Sequence, residues 1–199
     1  MSFVAQYLAE ASQVAARIDH EAVKRLVELL AEARAGGGRL FVLGVGGSAG
    51  NASHAVNDFR KIAGFEAYAP TDNVSELTAR INDDGWETSF ANWLKASRLT
   101  PRDCLLVFSV GGGDVARKVS MNLVRALELA KEIGARIGAI VGRDGGFTAT
   151  VADACVLIPT VSPERVTAHA EAFQAVVWHM LVAHPRLQAA PMRWESLAR

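Results

Sequence analysis

Short apolar runs bounded by glycine or proline alternate along this chain with longer stretches in which apolar residues return every three or four positions. The short runs are Leu40–Val45, Phe65–Ala69, Cys104–Phe108, Arg136–Val141 and Ala154–Ile158, and each reads as a strand. Helical periodicity fills 49–63, 72–80, 86–96, 114–133 and 147–152, with Asp72 as a possible cap, and a long last helix follows over 163–183. Ile81-Asn82-Asp83-Asp84-Gly85 reads as a polar break between helices. Residues 2–35 form a further helical pair: Phe3, Val4, Tyr7 and Leu8, then Val23, Leu26, Val27, Leu29 and Leu30, recur at helical spacing. Asp19 can cap the second of these helices and Gly36-Gly37-Gly38 ends it. Strands alternating with helices imply a parallel sheet covered on both faces, with ligands at the carboxyl ends of the strands. The helical pair precedes the first strand and is expected to pack outside the sheet, against a second subunit. Pro185–Arg199, with two prolines and mixed polarity, reads as a loosely packed tail or an interface arm.

Composition narrows the classes without choosing one. At 199 residues and 50% hydrophobic, the chain can bury one sizeable core, so one domain over 1–184 is expected, followed by a tail over 185–199. Lys+Arg and Asp+Glu number 21 each. That balance argues against a nucleic-acid partner and against an anionic membrane surface. Apolar runs fall well short of the ~20 residues a membrane helix needs. Met1–Ala16 lacks a basic start followed by a long apolar block, so no signal peptide is expected. Cys104 and Cys155 both lie in apolar runs and read as core residues of a reduced, cytoplasmic protein. The four tryptophans, Trp86, Trp93, Trp178 and Trp194, read as core or interface rather than ligand platforms.

The candidate chemistry begins where the first strand stops. Gly46-Gly47-Ser48 is a glycine turn leading directly into a helix, and Ser109-Val110-Gly111-Gly112-Gly113-Asp114 repeats that arrangement after the third strand. Backbone N–H groups at such turns, and the positive end of the helix that follows, suit an anion. Each can also be only a tight strand-to-helix turn. Neither is a dinucleotide fingerprint or a P-loop, since G-x-G-x-x-G and Gly-Lys-Ser/Thr are absent. A second constellation is His54 with Asp58, four residues apart, and Glu171 with His179, eight apart. Each pair can share a helix face. Two imidazoles and two carboxylates suit a zinc site, or an acid–base set without metal. His179 lies in a mostly apolar helix and is expected to be partly buried and partnered. Asn82 and Asp83 form a third polar cluster, either a plain turn or ligands for sugar hydroxyls.

Taken together these residues resemble the sugar isomerase (SIS) domain family over roughly 20–184, with phosphoheptose isomerase as the most similar branch. Gly44-Val45-Gly46-Gly47-Ser48-Ala49 resembles the family's G-N-G-G-S-A turn. His54 and Asp58 fall where that branch has a histidine and a glutamate on the first helix. Asn82-Asp83 with Gly85-Trp86-Glu87 and Phe90 resembles its N-D-x-G-aromatic segment, and Gly142-Arg143-Asp144-Gly145-Gly146 its turn after the fourth strand. Glu171 falls on a ligand-binding glutamine and His179 on the catalytic histidine. The departures are Val45 for asparagine, Asp58 for glutamate, and a phosphate loop that is Ser109-Val110-Gly111-Gly112-Gly113-Asp114 where relatives have a sequence close to S-T-S-G-N-S. Asp114 then stands in the place of the last serine, with Arg117 and Lys118 one turn on to neutralise it.

The resemblance implies an α/β three-layer sandwich whose five-stranded parallel sheet has flavodoxin-like order, with the N-terminal helices at the subunit interface of a homotetramer. It implies a sugar-phosphate aldose–ketose isomerase, acting on sedoheptulose 7-phosphate through an enediol, with Asp58 and His179 as the proton-transfer pair. His54, Asp58, Glu171 and His179 would hold zinc. The phosphate would sit on Gly46, Gly47, Ser48, Ser109, Gly111, Gly112, Gly113 and Asp114, and the sugar on Asn82 and Asp83. The altered loop motivates a rival expectation, a non-catalytic module that binds a phosphosugar or a protein. A third is an isomerase for another phosphosugar or a nucleotide-linked sugar.

Overall fold

A computed structural model describes residues 1–192. Five strands form one all-parallel sheet: β1 (Leu40–Leu43), β2 (Ala67–Tyr68), β3 (Cys104–Ser109), β4 (Arg136–Val141) and β5 (Ala154–Leu157), in the order β2-β1-β3-β4-β5. This is the flavodoxin-like order, with its switch point between β1 and β3. Alternation along the strands divides the core in two. Leu40, Val42, Cys104, Leu106 and Phe108 face one layer; Phe41, Leu43, Leu105 and Val107 face the other.

The first layer is built from α2 (His20–Ala35), α3 (Gly47–Lys61) and α8 (Val166–Ala183), with α1 (Phe3–Arg17) outside them. The second is built from α5 (Ser89–Ala96), α6 (Met121–Ile133) and α7 (Gly146–Val151), with α4 (Val74–Asp84) at its edge. Asp19 caps α2, its Oδ1 accepting from the N–H groups of Glu21 and Ala22. No described helix is long and apolar enough to cross a membrane.

Several boundaries differ from the sequence reading. α4 continues through Ile81–Asp84 and stops at Gly85, where φ is +82°. The helix buries no residue, so the polar run that reads as a break is the solvated side of an exposed helix. Its cap is Asn73 rather than Asp72, whose carboxylate accepts from the Ser53 hydroxyl instead. α6 begins at Met121, seven residues later than expected. The C-terminal segment is docked rather than loose as far as it is described: Leu187 is buried, and Arg34 Nη1 donates to the carbonyls of Ala63 and Leu187. The Ala189 and Ala190 N–H groups both donate to the Ile62 carbonyl. The remainder of the expected tail, 193–199 with Trp194, lies outside the described residues. Trp93 and Trp178 are core residues, whereas Trp86 is exposed. Both cysteines are free, with Cys104 buried and Cys155 half-buried.

An ion pair ties the start of β1 to the start of β3. Asp103 is 2% exposed and accepts from the Arg39 N–H, Nε and Nη2, and from the N–H and hydroxyl of Thr100. Burial alone would raise its pKa; the hydrogen bonds from Arg39 and Thr100 outweigh that and hold the carboxyl below its usual 3.8. A depressed folded value adds stability above the unfolded pKa, and that stability is lost as pH falls through the folded value. Asp103→Asn is therefore expected to cost about 3 kcal/mol at pH 7. The difference from wild type should shrink below about pH 4, as read by urea unfolding across that range.

Candidate functional site

The cradle at the switch point is formed by two glycine turns. β1 ends at Leu43 and the chain enters α3 at Gly47, so Ser48 sits in the first helical turn. Ser48 is 1% exposed and its hydroxyl has no protein partner among the described residues. A Cβ on Gly47 would lie 2.4 Å from Glu171 Oε2, so α8 lays the end of that side chain against the start of α3.

The second turn follows β3. The Ser109 hydroxyl accepts from the Gly112 N–H at 2.9 Å. The Gly112 carbonyl accepts from the N–H and hydroxyl of Thr148, and the Gly113 carbonyl from the Phe147 N–H. These carbonyls cap the start of α7. The approach is backbone to backbone: at Gly112, φ is +69° and a Cβ would lie 1.8 Å from the Gly145 carbonyl oxygen. Gly112 is thus needed to join the two turns, independently of any ligand.

Asp114 lines the cavity and is held by bonds within its own segment. Its N–H donates to the Val119 carbonyl and the Val119 N–H returns the bond, so Asp114–Val119 is a closed excursion of the chain. Asp114 Oδ1 accepts from the Arg117 N–H at 2.9 Å, and its other oxygen lies 3.7 Å from Arg117 Nε. The carboxylate is engaged within the excursion. Ser120, in the left-handed region at φ +51°, then stands at the start of α6.

Around these turns lies a cavity of about 1020 Å³, lined by Ser48, Ser109, Gly111, Gly113, Asp114, Ser120, Arg117, Arg143, Thr160 and Thr167 among others. Gly46, Gly47 and Gly112 support it without lining it. Asn82 and Asp83 do not line it; they are exposed at the end of α4, where Asn82 Nδ2 donates to Asp83 Oδ1. Arg143, Ser120, Thr160 and Thr167 are absent from the sequence-based site. Arg143 sits at φ +53° with its stem over Gly111, and has no ion pair among the described residues. Its signal in the sequence is the glycine-bracketed turn Gly142–Gly146; the two threonines carry none.

A separate cluster lies further along α3. Asp58 Oδ2 is 3.8 Å from His54 Nε2 and 3.8 Å from His179 Nε2, and the three ligand atoms lie within 4.8 Å of one another. Both histidines pack on the buried Trp178, His54 by its edge and His179 stacked. The His179 side chain is 50% exposed, more open than its apolar helix suggests. His179 Nδ1 is 2.7 Å from the Ala175 carbonyl oxygen, which can only accept, so Nδ1 carries the proton and Nε2 faces Asp58. A bare Nε2 lone pair facing a carboxylate is repulsive unless a proton or a cation lies between them.

Two imidazoles and a carboxylate with one position open are the donor set of a zinc centre, and the Nδ1–carbonyl bond is the usual support of a ligating histidine. The group therefore fits zinc. Glu171 is not in this cluster: it lies two helical turns before His179, ~12 Å along the axis, with its carboxylate on Gly47.

The SIS domain model matches residues 6–142. A lincomycin biosynthesis protein of Streptomyces lincolnensis is 32% identical over 195 residues, covering 92% of this chain and 69% of that protein. The phosphoheptose isomerase of Geotalea daltonii is 36% identical over 149 residues, covering 72% of this chain and 74% of the relative. The solved phosphoheptose isomerase of Neisseria gonorrhoeae superposes with a TM-score of 0.78 at 27% identity, covering 90% of this chain and 95% of that one.

Two of the three glycines of the second turn separate structural need from ligand contact. Gly112→Ala places a side chain at positive φ and into the Gly145 carbonyl, and should cost about 2–5 kcal/mol. Gly111→Ala meets only Arg143 Cδ, at 3.9 Å, and should leave stability within about 0.5 kcal/mol. Denaturant midpoints of the two variants check this.

Proposed function

The chain belongs to the SIS domain family and is a sugar-phosphate isomerase; we propose that it interconverts sedoheptulose 7-phosphate and D-glycero-D-manno-heptose 7-phosphate. The observation that carries this reading is that one helix holds both halves of the site. Ser48 lies in the first turn of α3 and His54 six residues on, ~9 Å along its axis. A seven-carbon chain held by its phosphate at Ser48 can extend along α3 and bring its carbonyl end to His54, Asp58 and His179.

The phosphate is held by the cradle. The α3 N-terminus offers partial positive charge, and the Ser48 hydroxyl, free of protein partners among the described residues, points to a ligand. Arg143 supplies the cation, and Ser109, Ser120, Thr160 and Thr167 supply hydroxyls from the walls. These replace the hydroxyls that the glycine-rich loop lacks. Asp114 also lines the cavity, where its pairing with Arg117 offsets its charge toward the phosphate.

Proton transfer then falls to Asp58 and His179. One removes the proton from the carbon beside the carbonyl while the other protonates the carbonyl oxygen, giving an enediol. Return of the proton to the neighbouring carbon, with loss of the proton from the first carbon's hydroxyl to the other group, re-forms a carbonyl and completes the exchange. The Ala175 carbonyl fixes His179 Nδ1 as donor, so Nε2 is the atom that gives or takes the proton. His179 has one free lone pair, at Nε2, so it serves either in proton transfer or as a ligand; with His54, Asp58 and His179 holding a zinc ion instead, the ion would polarise the carbonyl oxygen.

Asn82 and Asp83 stand outside the cavity of their own chain, so as sugar ligands they would serve a neighbouring subunit. Exposed apolar residues on α1 (Phe3, Val4, Leu8), α4 (Val74) and α8 (Val176, Met180) support a homotetramer in which such sharing occurs. We place the enzyme in the cytoplasm, in keeping with its two free thiols.

His179→Ala should reduce turnover of sedoheptulose 7-phosphate by about 10²–10⁴-fold and leave the melting temperature close to wild type. Full turnover in that variant would remove His179 from the chemistry.

A further inference from the structure

The N-terminal helix carries a buried carboxylate that the proposed chemistry does not use. Glu10 is 7% exposed, and each of its oxygens accepts twice. Oε1 takes Arg165 Nη2 at 2.7 Å and Gln6 Nε2 at 3.1 Å; Oε2 takes Arg165 Nε at 2.8 Å and His169 Nε2 at 2.9 Å. The Arg165 pairing is bidentate, the strong geometry for a carboxylate. Arg165 first and His169 second hold the Glu10 carboxyl down to about 2 against the opposing effect of burial. Tyr7 packs its ring on His169 at 4.7 Å, and the Arg165 guanidinium lies 6.0 Å from the Phe3 ring.

This end of α1 has little other hold. Phe3, Val4 and Leu8 are exposed, and Glu10 and Val14 are the helix's buried residues. The other end of the clamp is a wall of the cavity. Arg165 and His169 interleave along the chain with Pro163, Val166 and Thr167, which line the cavity. His169 borders, with Thr160–Ser162, a small void beside this wall, and Thr160 is itself a lining residue of the cavity.

We propose that Glu10 is a positioning residue: through Arg165 and His169 it holds the α8 wall of the cavity in the geometry that binds the sugar's phosphate. This rests on the reading that the cavity takes that phosphate. Glu10 touches neither substrate nor reacting atoms, so it sets affinity and leaves the proton-transfer step alone.

The test compares wild type with Glu10→Gln, which keeps the shape and removes the charge, and Glu10→Asp, which keeps the charge. Three quantities are read: the dissociation constant for inorganic phosphate, the KM and kcat for sedoheptulose 7-phosphate, and amide hydrogen exchange over 160–170 against 121–133. For Glu10→Gln, phosphate binding and KM should weaken about 3- to 30-fold, with kcat within about twofold. Exchange should quicken in 160–170 and stay unchanged in 121–133, and Glu10→Asp should recover part of each change. Unchanged exchange over 160–170, or faster exchange with phosphate affinity intact, overturns the proposal. A wild-type protein that binds no phosphate overturns the reading of the cavity, and the affinity role of Glu10 with it. Phosphate binding without turnover overturns the substrate reading alone, and the clamp is then judged on affinity and exchange.

Discussion

The register between α3 and α8 is the constraint on which the rest of the site depends, and one amide sets it. Asn51 Nδ2, on α3, donates to the Glu171 carbonyl at 2.9 Å and to Gln174 Oε1 at 3.0 Å, both on α8. The two helices run in the same direction, so this crosslink sorts every other contact between them. Toward their N-termini it sets Glu171 against Gly47; toward their C-termini it sets Trp178 and His179 against His54 and Asp58. A slip of one turn would part the two histidines and push a side chain onto the start of α3. The seam satisfies the Asn51 amide and Gln174 Oε1 and leaves Gln174 Nε2 without a partner among the described residues; losing the Asn51 contacts would strand the buried Gln174 Oε1 as well.

The glycine turns show how one feature can serve fold and ligand together. Gly112 and Gly113 spend their carbonyls on the start of α7, and Gly47 leaves room for Glu171. What these contacts create is a rigid rim at the carboxyl ends of β1, β3 and β4, where a sheet of this order places its ligands. The walls brought to this rim carry Ser120, Arg143, Thr160 and Thr167.

Much of this was legible in the sequence because it is local. A short apolar run between glycines is a strand whatever surrounds it, and a four-residue spacing puts His54 and Asp58 on one face of α3. The sheet order and the convergence of His179 on that pair needed the family resemblance as well. What escaped was non-local or ambiguous in period. Val115–Lys118 can be helical by composition, and only the backbone bonds between Asp114 and Val119 fold it into a closed excursion. Thr160 and Thr167 look like any surface threonines until β5 and α8 carry them to the cavity. The Asn82–Asp84 run looked like a break because helix signals rest on apolar periodicity, and α4 has no buried side to display one.

In the proposed reaction a phosphosugar anchored at the start of α3 exchanges a proton with Asp58, further along that helix, and with His179 on α8. The most direct measurement is conversion of sedoheptulose 7-phosphate in D₂O, with the product followed by NMR. Deuterium is expected at the carbon that receives the proton, because the half-exposed His179 exchanges with solvent. A product formed with the migrating hydrogen fully retained, or no conversion by protein that binds the sugar phosphate, would contradict it.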